Sequence, residues 1–322
     1  ELRTFATEAE VYAFLGLAEV PPELREDRGE VEAAREGRLP RLVELADLRG
    51  DCHAHSDWSD GIHSVEQMAE AARARGYGYL VLTDHSHGLA IARGLTPERV
   101  RAQRALIGEL NARFAREEAE GTAPAATPPG GRLPAVTPPG GFRLLHGCEL
   151  EIRGDGSLDF DDELLASFDV VVAALHQGRR QPRAQLTARV LGAIASPHVD
   201  VIAHPAGRML GERSRDDLDL AWDEIFAASA ATGTLLEIDG SDHRLDLAPE
   251  RARLAVAAGC LLTIDSDAHR TEELAGISWG VAQARRAWVE PAVVANTWSR
   301  ESLLAWVAGK AERIAGRPGG VA

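Results

Sequence analysis

The chain has 322 residues, enough to bury a full-sized core in one large or two ordinary domains. Its net charge of −15 and pI near 5.2 argue against a freestanding basic nucleic-acid binder; they leave room for a nucleic-acid enzyme whose divalent cations supply the positive field. No apolar run reaches membrane-spanning length, the N-terminal ELRTFATEAE lacks an apolar signal core, and Cys52, Cys148 and Cys260 are odd in number and far apart.

The segment TEAEVYAFLGL (7–17) opens with a cap-like Thr and an early acidic turn, which predicts a short helix. VPPELREDRGE leaves it through two prolines, and EVEAAREG predicts a second helix ending at Gly37. From Leu42 onward apolar runs alternate with helical patterns. The runs Leu48–Cys52, Tyr79–Thr83, Phe142–Ile152, Val170–Leu175, Val199–Ala203, Thr234–Ile238 and Leu261–Ile264 predict strands. Between them SVEQMAEAARARG, TPERVRAQRALIGELNARFAREEAE, AQLTARVLGAIA, LAWDEIFAASAATG and APERARLAVAAG predict helices, several started by Pro or a capping residue and several ended by Gly. Seven strands with helical crossovers predict an α/β fold, a closed or nearly closed parallel barrel. Residues 121–141 interrupt the rhythm with TPPGG twice, a composition that cannot form a packed element, so a flexible surface insertion is expected there. The apolar settings of the cysteines predict a reducing cytoplasm. The start at Glu1 rather than Met is what a fragment would show.

In parallel barrels the chemistry gathers at the C-terminal ends of the strands. DCHAHSDWSDG places His53 and His55 after the first run, two residues apart and so on one side of an extended chain, with Asp60 following. Taken alone, that stretch reads equally well as a polar turn. LVLTDH adds Asp84 and His85 at the second strand end, HGCELEI Glu149 in the third, VVVAALH His176 at the fourth and VDVIAHP His204 at the fifth. LLTIDSDAH adds Asp267 and His269 at the seventh, while the sixth offers only Asp239, Asp242 and His243. Six of the eleven histidines thus share one predicted rim with three carboxylates, a set too costly to bury unpaired. A metal centre is the expectation.

The ordered set HxH, a following Asp, TDH, a lone Glu, two further His and a terminal DxH resembles the polymerase and histidinol phosphatase (PHP) family. His53, His55, Asp60, His85, Glu149, His176, His204, Asp267 and His269 fill every position, and the resemblance covers roughly residues 49–315. It implies a distorted (β/α)7 barrel holding up to three divalent metals. One would lie on His53, His55, Glu149 and Asp267, the reacting centre. Glu149 would bridge to a second on His176 and His204; Asp60, His85 and His269 would hold the third. Such mixed donors suit Mn²⁺, Zn²⁺ or Fe²⁺ rather than Mg²⁺ or Ca²⁺. Cys52 and Cys148 are then core packing, and Asp84 is an acceptor for His85 or a neighbouring ligand. His63, His87, His146, His198 and His243 are left with surface or loop roles, His87 and His243 being nearest the rim.

LRGDCHAHSDWSDG, HPAGRMLGER, LEIDGSDHRLDL and ARRAW resemble the C-terminal PHP domain of bacterial family X DNA polymerases, and FATEAEVYAFLGLAEVPPELRE resembles the thumb tail before it. The resemblance implies a thumb-like remnant and linker over 1–48, a PHP domain over 49–322, and a polymerase domain as partner if the chain is a fragment. With no palm present, this chain is not expected to polymerise. Two features depart from the pattern: the Pro/Gly insertion, and Asp239 where relatives often carry Asn. The implied activity is a metal-dependent, Mn²⁺-supported phosphoesterase on DNA, a 3′–5′ exonuclease or processor of 3′ ends and abasic sites in repair. Arg179, Arg180 and Arg183, in a run with four arginines and no acid, together with Arg208, Arg213 and Arg244, would form a basic lip for the phosphate backbone. A solvated arginine face is the plainer account. The alternatives are a small-molecule phosphomonoesterase of histidinol-phosphatase type and a non-catalytic, metal-stabilised polymerase module; an intact ligand set argues against the last.

Overall fold

The computed structural model describes residues 2–123 and 141–316. The strands are β1 (Gly50–Ala54), β2 (Tyr79–Leu82), β3 (Arg143–Glu151), β4 (Val170–Ala174), β5 (Val201–Ile202), β6 (Leu235–Asp239) and β7 (Leu262–Asp265). They form one parallel sheet in chain order, curled into a nearly closed, distorted (β/α)7 barrel. Alternate residues serve two cores, as the two-residue strand period requires. Tyr79, Val81, Val170, Val172, Ala174, Val201 and Leu235 form one cluster, which Leu303 of the helix Arg300–Ala308 joins. Leu80 and Leu82 pack instead with Met68 and Phe114 of the flanking helices, and Val171 and Ala173 with Leu186 and Val190. Space in the barrel is tight at Gly147, where an added Cβ would stand 2.7 Å from Val81 Cγ1.

No ladder joins β1 to β7; side chains close that seam. Cys52 N donates to Asp265 Oδ1 (2.7 Å), Ser266 Oγ to Asp51 Oδ2 (2.5 Å), and Asn296 Nδ2 to Asp265 Oδ1 (2.8 Å) while its Oδ1 accepts from Ile264 N (2.7 Å). Beyond the strands His55 N donates to Ala268 O at 2.8 Å, so the seam continues up to the rim.

The expected strands are all present with shifted ends. β1 starts at Gly50, which pairs with Tyr79, because Leu48 belongs to the turn that follows Leu45–Asp47. β5 shrinks to two residues because the Asp200 side chain takes the Val171 N–H at 2.8 Å, a bond the backbone would otherwise make. The expected N-terminal helices appear as Glu8–Phe14 and Glu30–Arg35. Val20, Leu24, Ala34 and Leu42 form a small core against Trp288, and Glu23 pairs with Arg285 at 2.7 Å, docking this segment on the helix Ile277–Arg286. Of the expected 121–141 insertion, 124–140 lie outside the described residues; Phe142 N beyond it donates to Glu118 Oε1 before it at 2.8 Å. Cys52, Cys148 and Cys260 are buried and free, and no described helix is long and apolar enough to cross a membrane.

Burial pushes the Asp200 carboxyl up to about 7, against the opposing pull of Lys310 and the Val171 N–H. An unfolded Asp titrates near 3.9, so between about pH 4 and pH 7 the native chain keeps a proton that the unfolded chain has released. The native state therefore loses stability as pH rises through that window. Asp200→Asn accepts the same N–H without ionising. Its stability relative to the native chain should rise between pH 4 and pH 8 by a few kcal/mol, at about 1.4 per pKa unit. Urea unfolding midpoints at the two pH values check this, and a difference that ignores pH would refute it.

Candidate metal centre

All nine candidate ligands lie at or beyond the C-terminal ends of their strands. His53 is the penultimate residue of β1 and lies within an irregular register between Asp51 and Ala54; such a break re-aims side chains. His85 forms an isolated bridge with Glu149, which fixes the loop after β2 against β3. His204 and Asp267 hold left-handed backbone, with φ of 27° and 50°. Strained residues of this kind persist where the surroundings over-determine them, commonly at functional sites.

The side chains converge on Glu149. Its Oε2 stands 3.3 Å from His53 Nε2, 3.4 Å from His55 Nε2 and 3.0 Å from His85 Nδ1. Its Oε1 stands 2.9 Å from His204 Nε2 and 3.2 Å from His176 Nε2. Asp267 Oδ1 lies 3.1 Å from His55 Nε2 and 3.6 Å from His53 Nε2, and those two nitrogens are 3.2 Å apart. On the outer side, Asp60 reaches His85 Nε2 (3.5 Å) with one oxygen and His269 Nε2 (3.4 Å) with the other. His53, His55, Glu149 and His204 are fully enclosed, whereas Asp60 and His269 keep about a third of their side chains exposed (36% and 31%), so the centre opens on that side.

The donor set fits a transition metal. Four donors bound tetrahedrally at 2.0–2.1 Å stand about 3.3–3.4 Å apart; the His53 and His55 nitrogens stand 3.1 to 3.6 Å from each other and from the Glu149 and Asp267 oxygens, and all four donors lie within 4.8 Å of one another. Two further groups, His85–Glu149–His176 and His55–Asp60–His85–His269, share members with the first. His85 thus borders two groups, a sharing the residue order alone does not reveal. Burial, then the neighbouring His269 and His85, push His55 down to about 3; burial and Arg244 do the same to His204. Both are therefore neutral imidazoles, the form that ligates. Burial also pulls on His85, but Glu149 and Asp60 outweigh it and raise His85 to about 10.

Two carboxylates unforeseen from the sequence orient these rings. Glu237 accepts from His53 Nδ1 at 2.7 Å and from the His204 backbone N–H at 2.6 Å; Glu151 accepts from His176 Nδ1 at 2.8 Å and from Gln177 N at 3.0 Å. Each turns the opposite ring nitrogen toward Glu149, as carboxylates behind metal-bound histidines do. The available signal was an acid inside an otherwise apolar strand, LLEID and CELEI. Asp84 touches no candidate ligand ring; it gathers Ser56 N and Oγ, Ser59 Oγ and Gln103 Nε2 at 2.6–2.8 Å, shaping the loop that carries Asp60. His146, expected at the surface, is buried beside Phe168, because its place in β3 faces the helices. His63 accepts from Thr271 N, while His243 is exposed and hydrogen-bonded to Asp242 and to the buried Ser241.

The arginines separate. Arg244 is largely enclosed, its Nε 3.3 Å from both Asp267 Oδ2 and Asp239 Oδ2. Arg179 is half-buried and donates to Gly207 O at 2.6 Å. Arg208 is spent on the carbonyls of Arg244 and Leu245. Arg180 is exposed, and Arg183 is exposed 3.7 Å from Asp219 at a helix start, away from the centre. The Arg213 side chain lies outside what is described.

No family model matches the chain. Among curated proteins it is 38% identical over 307 residues to the DNA polymerase/3′-5′ exonuclease PolX of Bacillus subtilis (strain 168), a match covering 95% of this chain and 49% of that protein. It is 26% identical over 165 residues to a probable phosphatase of Syntrophotalea carbinolica, covering 48% of this chain and 65% of that one. The chain therefore spans less than two thirds of either relative. Among solved structures it shares the fold of the histidinol phosphate phosphatase of Lactococcus lactis subsp. lactis, complexed with zinc, L-histidinol and phosphate: TM-score 0.52 at 15% identity, over 75% of this chain and 94% of that one. The chain belongs to the PHP family.

In this PHP barrel Glu149→Ala should remove metal from more than one position, because its two oxygens serve two groups. Glu237→Gln keeps the side chain's shape but can accept from only one of His53 Nδ1 and the His204 N–H, and it removes the charge behind His53, so it should weaken metal affinity about 10- to 100-fold. Metal counts on purified protein and a chelator titration check both, with circular dichroism confirming the fold. Full metal content in Glu149→Ala would refute the shared-ligand geometry.

Proposed function

We propose that the chain is a metal-dependent phosphoesterase acting on DNA, trimming or processing 3′ ends in the manner of a 3′–5′ exonuclease during repair. The observation that carries this reading is the Glu149-centred cluster with the enclosed guanidinium of Arg244 beside it. His53, His55, Glu149 and Asp267 would hold one metal, His176 and His204 with Glu149 a second, and Asp60, His85 and His269 a third. Mn²⁺, Zn²⁺ or Fe²⁺ bound there would supply Lewis-acid polarisation of a phosphoryl oxygen and neutralise its charge.

The chain's own groups do the rest. Glu237 and Glu151 fix which nitrogen of His53 and His176 faces the centre. Asp60 and His269, the exposed members, mark the side from which a phosphodiester enters. Arg244 provides permanent positive charge beside Asp267, and Arg179 provides a second charge at Gly207, in the loop after β5. The likeness to PolX supports DNA as substrate, and residues 1–48 would then be the tail of a preceding polymerase thumb, with the polymerase domain as partner in the cytoplasm. The fold of histidinol phosphate phosphatase favours a second reading, hydrolysis of a small phosphomonoester.

Metal-reconstituted protein should shorten a 5′-labelled single strand from its 3′ end with Mn²⁺, and the rate should fall steeply with salt, by about 0.7–0.9 in log–log slope per phosphate contact. Arg179→Gln should lower DNA cleavage about tenfold and flatten that slope. Robust histidinol phosphate hydrolysis with no cut in any DNA would transfer the case to the phosphatase reading. No turnover of either substrate would favour a structural module.

A further inference from the structure

One more arginine stands with this group and has no part in the motif pattern. The loop after β5 doubles back, with Met209 and Arg215 exchanging both backbone hydrogen bonds at 3.0 Å. This return brings Arg215 beside Gly207, whose own N–H donates to His204 O at 2.8 Å. Arg215 Nε donates to Gly207 O at 3.1 Å, and Arg179 donates to the same oxygen at 2.6 Å. Two guanidiniums therefore meet on one carbonyl, one turn from a candidate ligand. Gly207 is at φ 61°, and an added Cβ would collide with the Arg179 guanidinium.

Crowding like charges in this way is unfavourable by itself. Both side chains are half-buried, and among the described residues neither has a carboxylate within ion-pair distance. Arg179 Nη1 is buried without a hydrogen-bond partner, as are Nε and Nη1 of Arg244. Burial first, then the neighbouring arginines, push Arg179 down to about 10 and lower Arg215, so both remain charged at neutral pH. The nearby Asp246 is enclosed, bonded to Ala206 N at 3.2 Å and raised to about 6 by burial; it attracts both guanidiniums without forming an ion pair with either. Bracing the loop would take one neutral donor. Two unpaired cations suit an anion.

We propose that Arg215, together with Arg179, forms a subsite for the phosphate next to the scissile one, so that Arg215 selects a polynucleotide over a lone phosphate monoester. The inference rests on the DNA reading above. Arg244 touches Asp267 and so faces the reacting phosphate, whereas Arg215 touches no candidate ligand and stands one residue layer further out, across Gly207.

A cycle between protein and substrate tests it. Oligonucleotides carrying one uncharged methylphosphonate at each of the first three positions from the scissile bond are compared with unmodified DNA, on the metal-loaded native chain, Arg215→Gln and Arg215→Lys. One substituted position should raise KM on the native chain about tenfold. Arg215→Gln should raise KM on unmodified DNA to a similar degree, Arg215→Lys should stay within about threefold of native, and the Gln variant with the substituted DNA should lose no more than either change alone. A product of the two losses, about a hundredfold, would overturn the subsite, as would a Lys variant that matches Gln, which marks a bracing role. If no methylphosphonate position affects the native chain, the subsite does not exist, whatever the variants do. A native chain that cuts no DNA overturns the functional reading and this inference together, an outcome distinct from the other three.

Discussion

A single enclosed carboxylate, Glu149, has five imidazole nitrogens within 3.4 Å of its two oxygens, brought by the ends of β1, β2, β4 and β5. Enclosing an ionised carboxylate costs several kcal/mol unless charges and hydrogen bonds compensate it. Here the compensation must come from different strands at once, so each strand has to end at the same height and face the same point. A curled parallel sheet meets that condition, because its strand ends form a ring around one axis. The histidines hold Glu149 well below the usual carboxylate range in spite of its burial, so it stays an anion and an acceptor.

The same requirement explains how the barrel closes. His53 lies in the first strand and Asp267 just beyond the last, and they stand 3.6 Å apart because β1 and β7 are neighbours. Yet these strands share no backbone ladder; Asp51, Asp265 and Asn296 supply the bonds with their side chains. Side-chain acceptors tolerate a splayed seam, where backbone pairing would impose its own register. The splay is useful at the rim, where His55 turns toward Asp267 while its backbone N–H is held by Ala268 O. Closing the barrel and assembling the centre are one structural act.

Much of this was legible in the sequence, for physical reasons that also set the limits. Apolar runs bounded by Gly, Pro and caps marked every strand, because strands buried on both faces are apolar almost throughout. Polar residues just past such runs fell on one rim, since parallel strands with crossover connections all end on the same side. Glu237 and Glu151 escaped because they lie within strands, where the two-residue period gives a face but not the ring that waits there. The seam carboxylates escaped because pairing between first and last strands is a tertiary fact. The arginines show the opposite error. Arg179, Arg180 and Arg183 looked like one patch by proximity, but the start of the helix Arg183–Ala195 carries the last of them toward Asp219, and the fold replaces it with Arg215 from another loop.

An acidic chain of net charge −15 with a cluster of arginines at its mouth raises a question of range. Screening in physiological salt reduces charge interactions beyond about 8 Å, so a DNA end approaching the rim responds chiefly to the groups lining it. Those groups are the half-buried arginines and the metal-capable centre; some surface acids lie in pairs with surface arginines, such as Glu66 and Glu70 with Arg113, or Glu26 with Arg28, and the rest carry the acidic excess. Exposed pairs of that kind contribute little to stability or field. The acidic excess then works against loose attachment along a duplex, where many weak phosphate contacts would have to accumulate. Under the proposed DNA reading it leaves intact a short-range attraction for one strand end on the side where Asp60 and His269 are exposed. If the proposed DNA reading holds, this charge distribution favours engagement at a terminus over binding along a backbone, the discrimination that end processing would require.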